Sequence, residues 1–192
     1  MTIYLLRHGE TEWNIARRCQ GAADSPLTQR GHEQARRNAA LVARLLADEA
    51  GGFRLVSSPQ KRAFDTASYV GRALGLEVET DPRLREVSLG AWEGMTYAEI
   101  ERDYPHLLAG TGRDDWFFQA PEGEGFEAAR RRVAEWMDSA SPPLIVVSHG
   151  LTTRFLRGLY AGLDRPSMLS LPIPQDGVFR LAEGRMEFLP AD

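Results

Sequence analysis

The sequence predicts an α/β fold with a largely parallel sheet. Three observations carry this. Short apolar runs at Ile3–Leu6, Phe53–Val56 and Leu144–Val147 have strand length and no alternating polar face, as buried strands do. Longer stretches with apolar residues at 3–4 spacing lie between them. The two kinds of segment alternate along the chain, the order expected of parallel strands joined by crossover helices.

Ile3 to Leu6 ends at Arg7-His8-Gly9, a loop at the carboxyl end of the first strand. Thr28 caps a long helix whose apolar positions are Ala35, Ala39, Val42 and Leu46, and Gly51-Gly52 stops it. Phe53–Val56 is the second strand. Ser57-Ser58-Pro59 reads as a helix start, with a serine cap and proline at the first helical position. Leu76–Thr80 is the third strand. The segment Leu89–Glu122, rich in Gly, Trp and acidic residues, carries a short helix at Thr96–Arg102 and covers one end of the domain. A helix from about Gly125 to Met137 presents Phe126, Ala129, Val133 and Trp136 or Met137 on one face. Leu144–Val147 is the clearest buried strand and ends at Ser148-His149-Gly150. A helix then runs to Tyr160, and short strands at Val178–Leu181 and Met186–Leu189 follow.

The chain of 192 residues suits one domain, residues 1–192, with a small cap-like segment at about 95–122. Its net charge of −4 gives no global attraction for nucleic acid or an anionic membrane. Of 23 basic residues only Lys61 is lysine; compositional bias accounts for most of the arginines, since few can serve one site. Cys19 is the single cysteine, which excludes an intrachain disulfide and a multi-cysteine zinc site. The segment MTIYLLRHGETEW has neither the basic start nor the apolar length of a signal peptide, and no run approaches ~18 apolar residues, so a cytoplasmic protein is expected.

His8 and His149 both follow buried strands, and ligands of parallel sheets bind beyond the carboxyl ends of strands. Arg62 sits in the first turn of the helix after the second strand, where backbone N–H groups favour an anion. Two histidines with Arg7 and Arg62 converging on one crevice make a site for a dianionic oxyanion, most simply a phosphoryl group. His32 and His106 lack that placement and read as structural or surface residues. With no P-loop and no carboxylate cluster, the sequence gives no support for a metal or other cofactor. A neutral imidazole can attack phosphorus itself, splitting the transfer into two easier steps. The leaving oxygen then needs an acid; Glu86 in LREVSLGAWEG is the candidate, and spacing alone does not reject Glu10 or Glu93.

These residues resemble the histidine phosphatase superfamily, the phosphoglycerate-mutase-like enzymes. The resemblance rests on RHGETEWN (Arg7–Asn14), DSPLTQRGHEQA (Asp24–Ala35), SSPQKRAFDTA (Ser57–Ala67), LREVSLGAWEG (Leu84–Gly94) and VVSHG (Val146–Gly150), in the family's order. It implies a three-layer α/β/α fold with a mostly parallel central sheet. It also implies that His8 is the phosphorylated nucleophile, that Arg7, Arg62 and His149 form the phosphate pocket with Gly150 beside them, and that Asn14 donates a further hydrogen bond. Glu86 would be the general acid and then the base for water. Gln20-Gly21 resembles the small phosphatases, including the broad-specificity and α-ribazole types. The absence of a cation in VSLGAWEG points to a single strong anion site.

The expected function is therefore a metal-independent phosphomonoesterase acting through phosphohistidine on a small phosphorylated metabolite, with no nucleic-acid or membrane partner. The alternatives are a cofactor-dependent phosphoglycerate mutase and a non-catalytic phosphate-binding module. The sequence is silent on the substrate and the oligomeric state. Two stretches depart from the family pattern. Gly125 stands where many relatives have a helix-capping serine. LPIPQDGVFRL replaces a small-polar loop near the pocket. Trp116, Phe117 and Phe118 either line the substrate mouth or, the favoured reading, pack the cap segment on the core.

Overall fold

A six-stranded sheet in the order β3-β2-β4-β1-β5-β6 divides the molecule. The computed structural model describes residues 2–47 and 52–191, so Gly51, expected to help end the first long helix, lies outside the described residues. Strands β1 (Thr2–Arg7), β2 (Arg54–Ser57), β3 (Val78–Thr80) and β4 (Leu144–Ser148) are mutually parallel. β5 (Gly177–Ala182) runs antiparallel to β1, and β6 (Arg185–Pro190) pairs antiparallel with β5.

Period-two alternation sorts the strand residues between two cores. Ile3, Leu5, Leu144 and Val146 pack against Phe126, Ala129, Val133 and Trp136 of α6 (Phe126–Ser139) and Leu151, Phe155 and Leu156 of α7 (Gly150–Tyr160). Tyr4, Leu6, Ile145 and Val147 face α2 (Gln29–Leu45) and α3 (Lys61–Leu74) through Ala39, Val42, Ala63, Ala67 and Val70. The result is three layers, helix–sheet–helix. β1 leads to α2 on one face and its neighbour β4 leads to α7 on the other. The chain diverges there, opening a crevice at the carboxyl ends of β1 and β4.

Residues 89–120 carry a small core of their own. Trp92 and Ile100 are fully buried there, against Tyr104, Leu107, Trp116 and Phe117. Its helices are α4 (Tyr97–Asp103), closed by a Thr96/Glu99 capping box, and α5 (Pro105–Leu108). α1 (Glu12–Ile15), α5 and α8 (Arg165–Leu169) were not expected from sequence; at four or five residues none shows a helical period. The expected start of α3 at Ser58-Pro59 is also corrected, because the helix begins at Lys61. Ser58 Oγ bonds His149 and accepts from the Gln60 N–H ahead of the helix, and the cap comes from Asp24, whose carboxylate accepts from the backbone N–H groups of Lys61 and Arg62. α6 starts after Gly125 with no side-chain cap, as the missing serine implied. Among the described residues no helix is long and apolar enough to cross a membrane.

Candidate active site

The crevice is a cleft of about 190 Å³ lined by Arg7, His8, Asn14, Gln20, Gly21, Arg62, Glu86 and Gly150 from the sequence motifs. His8 follows β1 directly, its N–H bonded to the Ser148 carbonyl (2.9 Å). The register of β1 on β4 therefore sets His8 beside His149, with ring centroids 5.2 Å apart. His8 Nδ1 lies 2.7 Å from the Gly9 carbonyl, so Nδ1 carries the proton and Nε2 keeps its lone pair. Burial, followed by the Arg7 and Arg62 cations, holds His8 well below the usual imidazole range. Gly9 permits the turn because its backbone meets α2 directly; a Cβ there would lie 2.3 Å from the Gly31 carbonyl oxygen.

Arg62 is buried and oriented from three sides. Nη1 donates to the Ala23 carbonyl (2.6 Å) and Asp24 (3.0 Å), and Nη2 donates to the Gly21 carbonyl (2.9 Å). Gly21 adopts φ +54°, and a Cβ there would meet Glu93 Oε1 at 2.5 Å. Arg7 Nη1 donates to the Ile173 carbonyl (2.7 Å), while its Nε is buried without a partner. Burial lowers Arg7 to about 10; the carboxylate of Glu86 opposes the shift and Arg62 adds to it. It remains a cation at neutral pH.

Glu86 projects at the N-terminus of α7, where its carboxylate accepts from the backbone N–H groups of Leu151 (3.1 Å) and Thr152 (3.0 Å) and from the Thr152 hydroxyl (3.0 Å). Its own N–H donates to Gln60 Oε1 (2.7 Å). The preceding turn is pinned by Arg132, which pairs with Glu124 and donates to the Arg83 and Arg85 carbonyls. The two rival carboxylates are engaged away from the cleft. Glu93 binds the N–H groups of Ala22, Ala23 and Leu89, tying the Gly21 turn to the Glu86 loop. Glu10 accepts from Thr28.

His149 is fully buried and is not part of the cleft lining; Nε2 bonds Ser58 Oγ (2.7 Å) and Nδ1 has no partner. Burial, then Arg62 and His8, keeps it well below the ordinary imidazole range. Gln20 is buried with an unpartnered Oε1. Cys19 also lines the cleft, but burial pushes its thiol up to about 11, which leaves no thiolate at neutral pH. His32 bonds the Tyr69 hydroxyl (3.1 Å) away from the cleft lining.

This arrangement goes with a match to the family model for the histidine phosphatase superfamily (branch 1) over residues 3–188. The chain belongs to the histidine phosphatase superfamily. It is accordingly an enzyme with phosphatase activity. It is 35% identical over 183 residues to the glucosyl-3-phosphoglycerate phosphatase of Mycobacterium tuberculosis, covering 89% of this chain and 76% of that protein. It is 38% identical over 173 residues to the probable phosphoglycerate mutase GpmB of Serratia proteamaculans, covering 85% and 76%. The α-ribazole phosphatase structure from Shigella flexneri superposes with a TM-score of 0.83 at 27% identity, covering 100% of this chain and 96% of that one.

Sequence reasoning missed several cleft residues. Arg18, Leu89, Leu151, Arg154 and Ile173 all line it; Arg18 pairs with Glu99 (3.0 Å). Arg154 donates Nε to the Leu171 carbonyl (2.7 Å), and its nearest carboxylate is Asp114 at 3.8 Å. Its signal was available, because it lies one helical turn beyond Gly150 on the same face of α7. Both readings of the aromatic cluster hold in part. Trp116 and Phe117 line the cleft, Trp116 packing on Trp92, Tyr97 and Phe117, and Phe118 packs inward on Phe126 and Phe155.

Proposed function

We propose that this histidine phosphatase hydrolyses small phosphomonoesters through a covalent phosphohistidine, without a metal. The observation that carries the reading is the tautomer of His8: Nδ1 is tied to the Gly9 carbonyl, and Nε2 opens on a cleft that holds Arg7 and Arg62. In the first step the Nε2 lone pair forms a bond to phosphorus as the P–O bond to the leaving group breaks. The carboxyl of Glu86 gives its proton to the departing oxygen. In the second step the Glu86 carboxylate takes a proton from water, whose oxygen attacks phosphorus. The N–P bond breaks and orthophosphate leaves, returning neutral His8. Arg7, Arg62 and the Asn14 amide hold the non-bridging oxygens as charge redistributes, while His149, expected among them, packs beside the His8 ring outside the cleft lining. The chain acts as one domain in this reading, with residues of about 95–122 forming a cap over the leaving group.

One observation favours a mutase as the second reading. Arg154 lines the cleft beside Arg7 and Arg62, with its nearest carboxylate at 3.8 Å, and a probable phosphoglycerate mutase is among the relatives. A mutase would pass the phosphoryl group from His8 to a second hydroxyl instead of water.

Hydrolysis of 4-nitrophenyl phosphate in excess chelator, with an alkaline quench that preserves the phosphoenzyme and a separate acid treatment that releases it, tests the proposal. Turnover and an acid-labile phosphoenzyme are expected for the unaltered protein, and both are lost in His8→Ala, with turnover down by roughly 10³-fold or more. Chelator-sensitive turnover, or an active His8→Ala variant, would sink it. Isomer exchange of phosphoglycerate that needs a bisphosphate primer and outpaces phosphate release would establish the mutase.

A further inference from the structure

The tail segment that departs from the family pattern, residues 171–176, is a strap fixed to the site at every step. Three consecutive carbonyls accept from three arginines: Leu171 from Arg154 Nε (2.7 Å), Pro172 from Arg157 Nη2 (2.6 Å) and Ile173 from Arg7 Nη1 (2.7 Å). Arg157 is 1% exposed and has no carboxylate partner among the described residues; its guanidinium lies 4.0 Å from the centre of the Phe179 ring. Desolvating a charge is costly, so a buried cation whose hydrogen bonds go to the strap and its own helix ties the strap to α7. Beyond Ile173, α2 takes over: Asn38 Nδ2 donates to the Gln175 carbonyl (2.9 Å), and Arg37 pairs with Asp176.

The strap thus presents the Gln175 side chain at a fixed position. Its Nε2 donates to the His8 carbonyl (2.9 Å) and to Asn14 Oδ1 (3.3 Å). Asn14 Oδ1 also accepts from the Thr11 N–H (3.1 Å), so its acceptor capacity is filled and the Asn14 NH₂ is the end left for the cleft. The His8–Gly9 peptide is pinned at both ends, its carbonyl by Gln175 and its N–H by Thr66 Oγ1 (3.1 Å).

We infer that Gln175 is a positioning residue that sets the Asn14 amide donor-first towards the phosphoryl group and fixes the peptide carrying the His8 ring. This rests on the proposed role of Asn14 as a phosphoryl donor. Its action through Asn14 makes the two residues non-additive, which a merely structural role would not.

The test is a double-mutant cycle of unaltered protein, Gln175→Met, Asn14→Ala and the pair, read as kcat/KM on 4-nitrophenyl phosphate and as calorimetric affinity for orthophosphate. Each single change is expected to cost roughly 10- to 100-fold, the scale of one hydrogen bond to a charged group. The pair should cost no more than about twice the larger single loss. Losses that multiply, or a Gln175→Met protein matching the unaltered one on both readouts, overturn the inference. Gln175→Glu sharpens it, since a carboxylate cannot donate to either oxygen and should lower both readouts further than Gln175→Met; an equal or smaller loss counts against it. If Gln175→Met does not fold, Gln175→Glu and Gln175→Ala complete the cycle under the same criterion. Absence of turnover in the unaltered protein would sink the hydrolase reading alone, because the phosphate-affinity cycle still decides the role of Gln175.

Discussion

The floor and the rim of the cleft are built on opposite principles. The floor is polar, buried and tied down: His8 and Arg62 are at most 3% exposed, with His149 buried beside His8, and Arg62 alone makes three side-chain hydrogen bonds. The rim is apolar and half-exposed. Trp116 and the buried Leu89 reach it from a satellite core, and Phe117 joins that core to the one on the sheet. A phosphoryl group has one shape and one charge, so the groups that meet it can be fixed beforehand. Leaving groups vary, and a wall of aromatic side chains on a separate small core can change without disturbing the floor. On the proposed reading, chemistry sits below and selectivity above.

The largest test of that division is Glu86→Gln. Glutamine keeps a carbonyl oxygen for the N–H groups of α7 but has no proton to give, so alkyl phosphates should slow by ~10²–10⁴. Aryl phosphates, whose leaving groups need little protonation, should slow far less. Equal slowing of the two classes, measured as kcat/KM, which reports phosphorylation and not the shared dephosphorylation step, would remove Glu86 from the proton transfer to the leaving group.

Trp116→Ala probes the rim. The ratio of kcat/KM for a bulky aryl phosphate to that for a small alkyl phosphate is expected to fall about tenfold, the effect of about 1.4 kcal/mol of lost contact. An unchanged ratio would return Trp116 to a purely packing role.

The smallest effect is on stability. His8 and His149 are held neutral in the folded protein, their values pushed below the unfolded value of about 6.5, first by burial. Below that pH the unfolded chain takes up protons that the folded one refuses. Their stabilising effect is full above about pH 6.5 and declines as pH falls, by at most about 1.4 kcal/mol per pH unit for each histidine. Urea midpoints at pH 7.5 and 5.5 should show the decline, and His8→Asn should lessen it. The rim contributes no comparable term, so a slope unaffected by His8→Asn would contradict the account of the floor.

Much of the floor was legible in the sequence because strand and chemistry coincide there. The apolar runs at Ile3–Leu6 and Leu144–Val147 end at His8 and His149, and a parallel sheet brings such ends together. Asp24 was not legible as the cap of α3, because it precedes Lys61 by 37 positions and caps are sought beside the helix they close. Nor was Gln175, whose bonds to His8 and Asn14 span more than 160 positions. The short α8 did leave a signal, Asp164 before Arg165-Pro166, with the Asp164 carboxylate accepting from the Ser167 N–H (3.0 Å). Its five residues are too few for periodicity to register.

By itself the sequence determined the strands and the long helices, and marked the imidazoles and guanidiniums at the strand ends as candidates for the chemistry. Those properties follow from local patterns of apolar residues and from residue types at strand ends. Only the tertiary structure decided the strand order that seats β4 between β1 and β2. It also separated Glu86 from Glu10 and Glu93, and gave Arg154 and the 171–176 strap to the same cleft. These are long-range pairings, fixed by how two cores pack across the sheet, and no spacing along the chain encodes them.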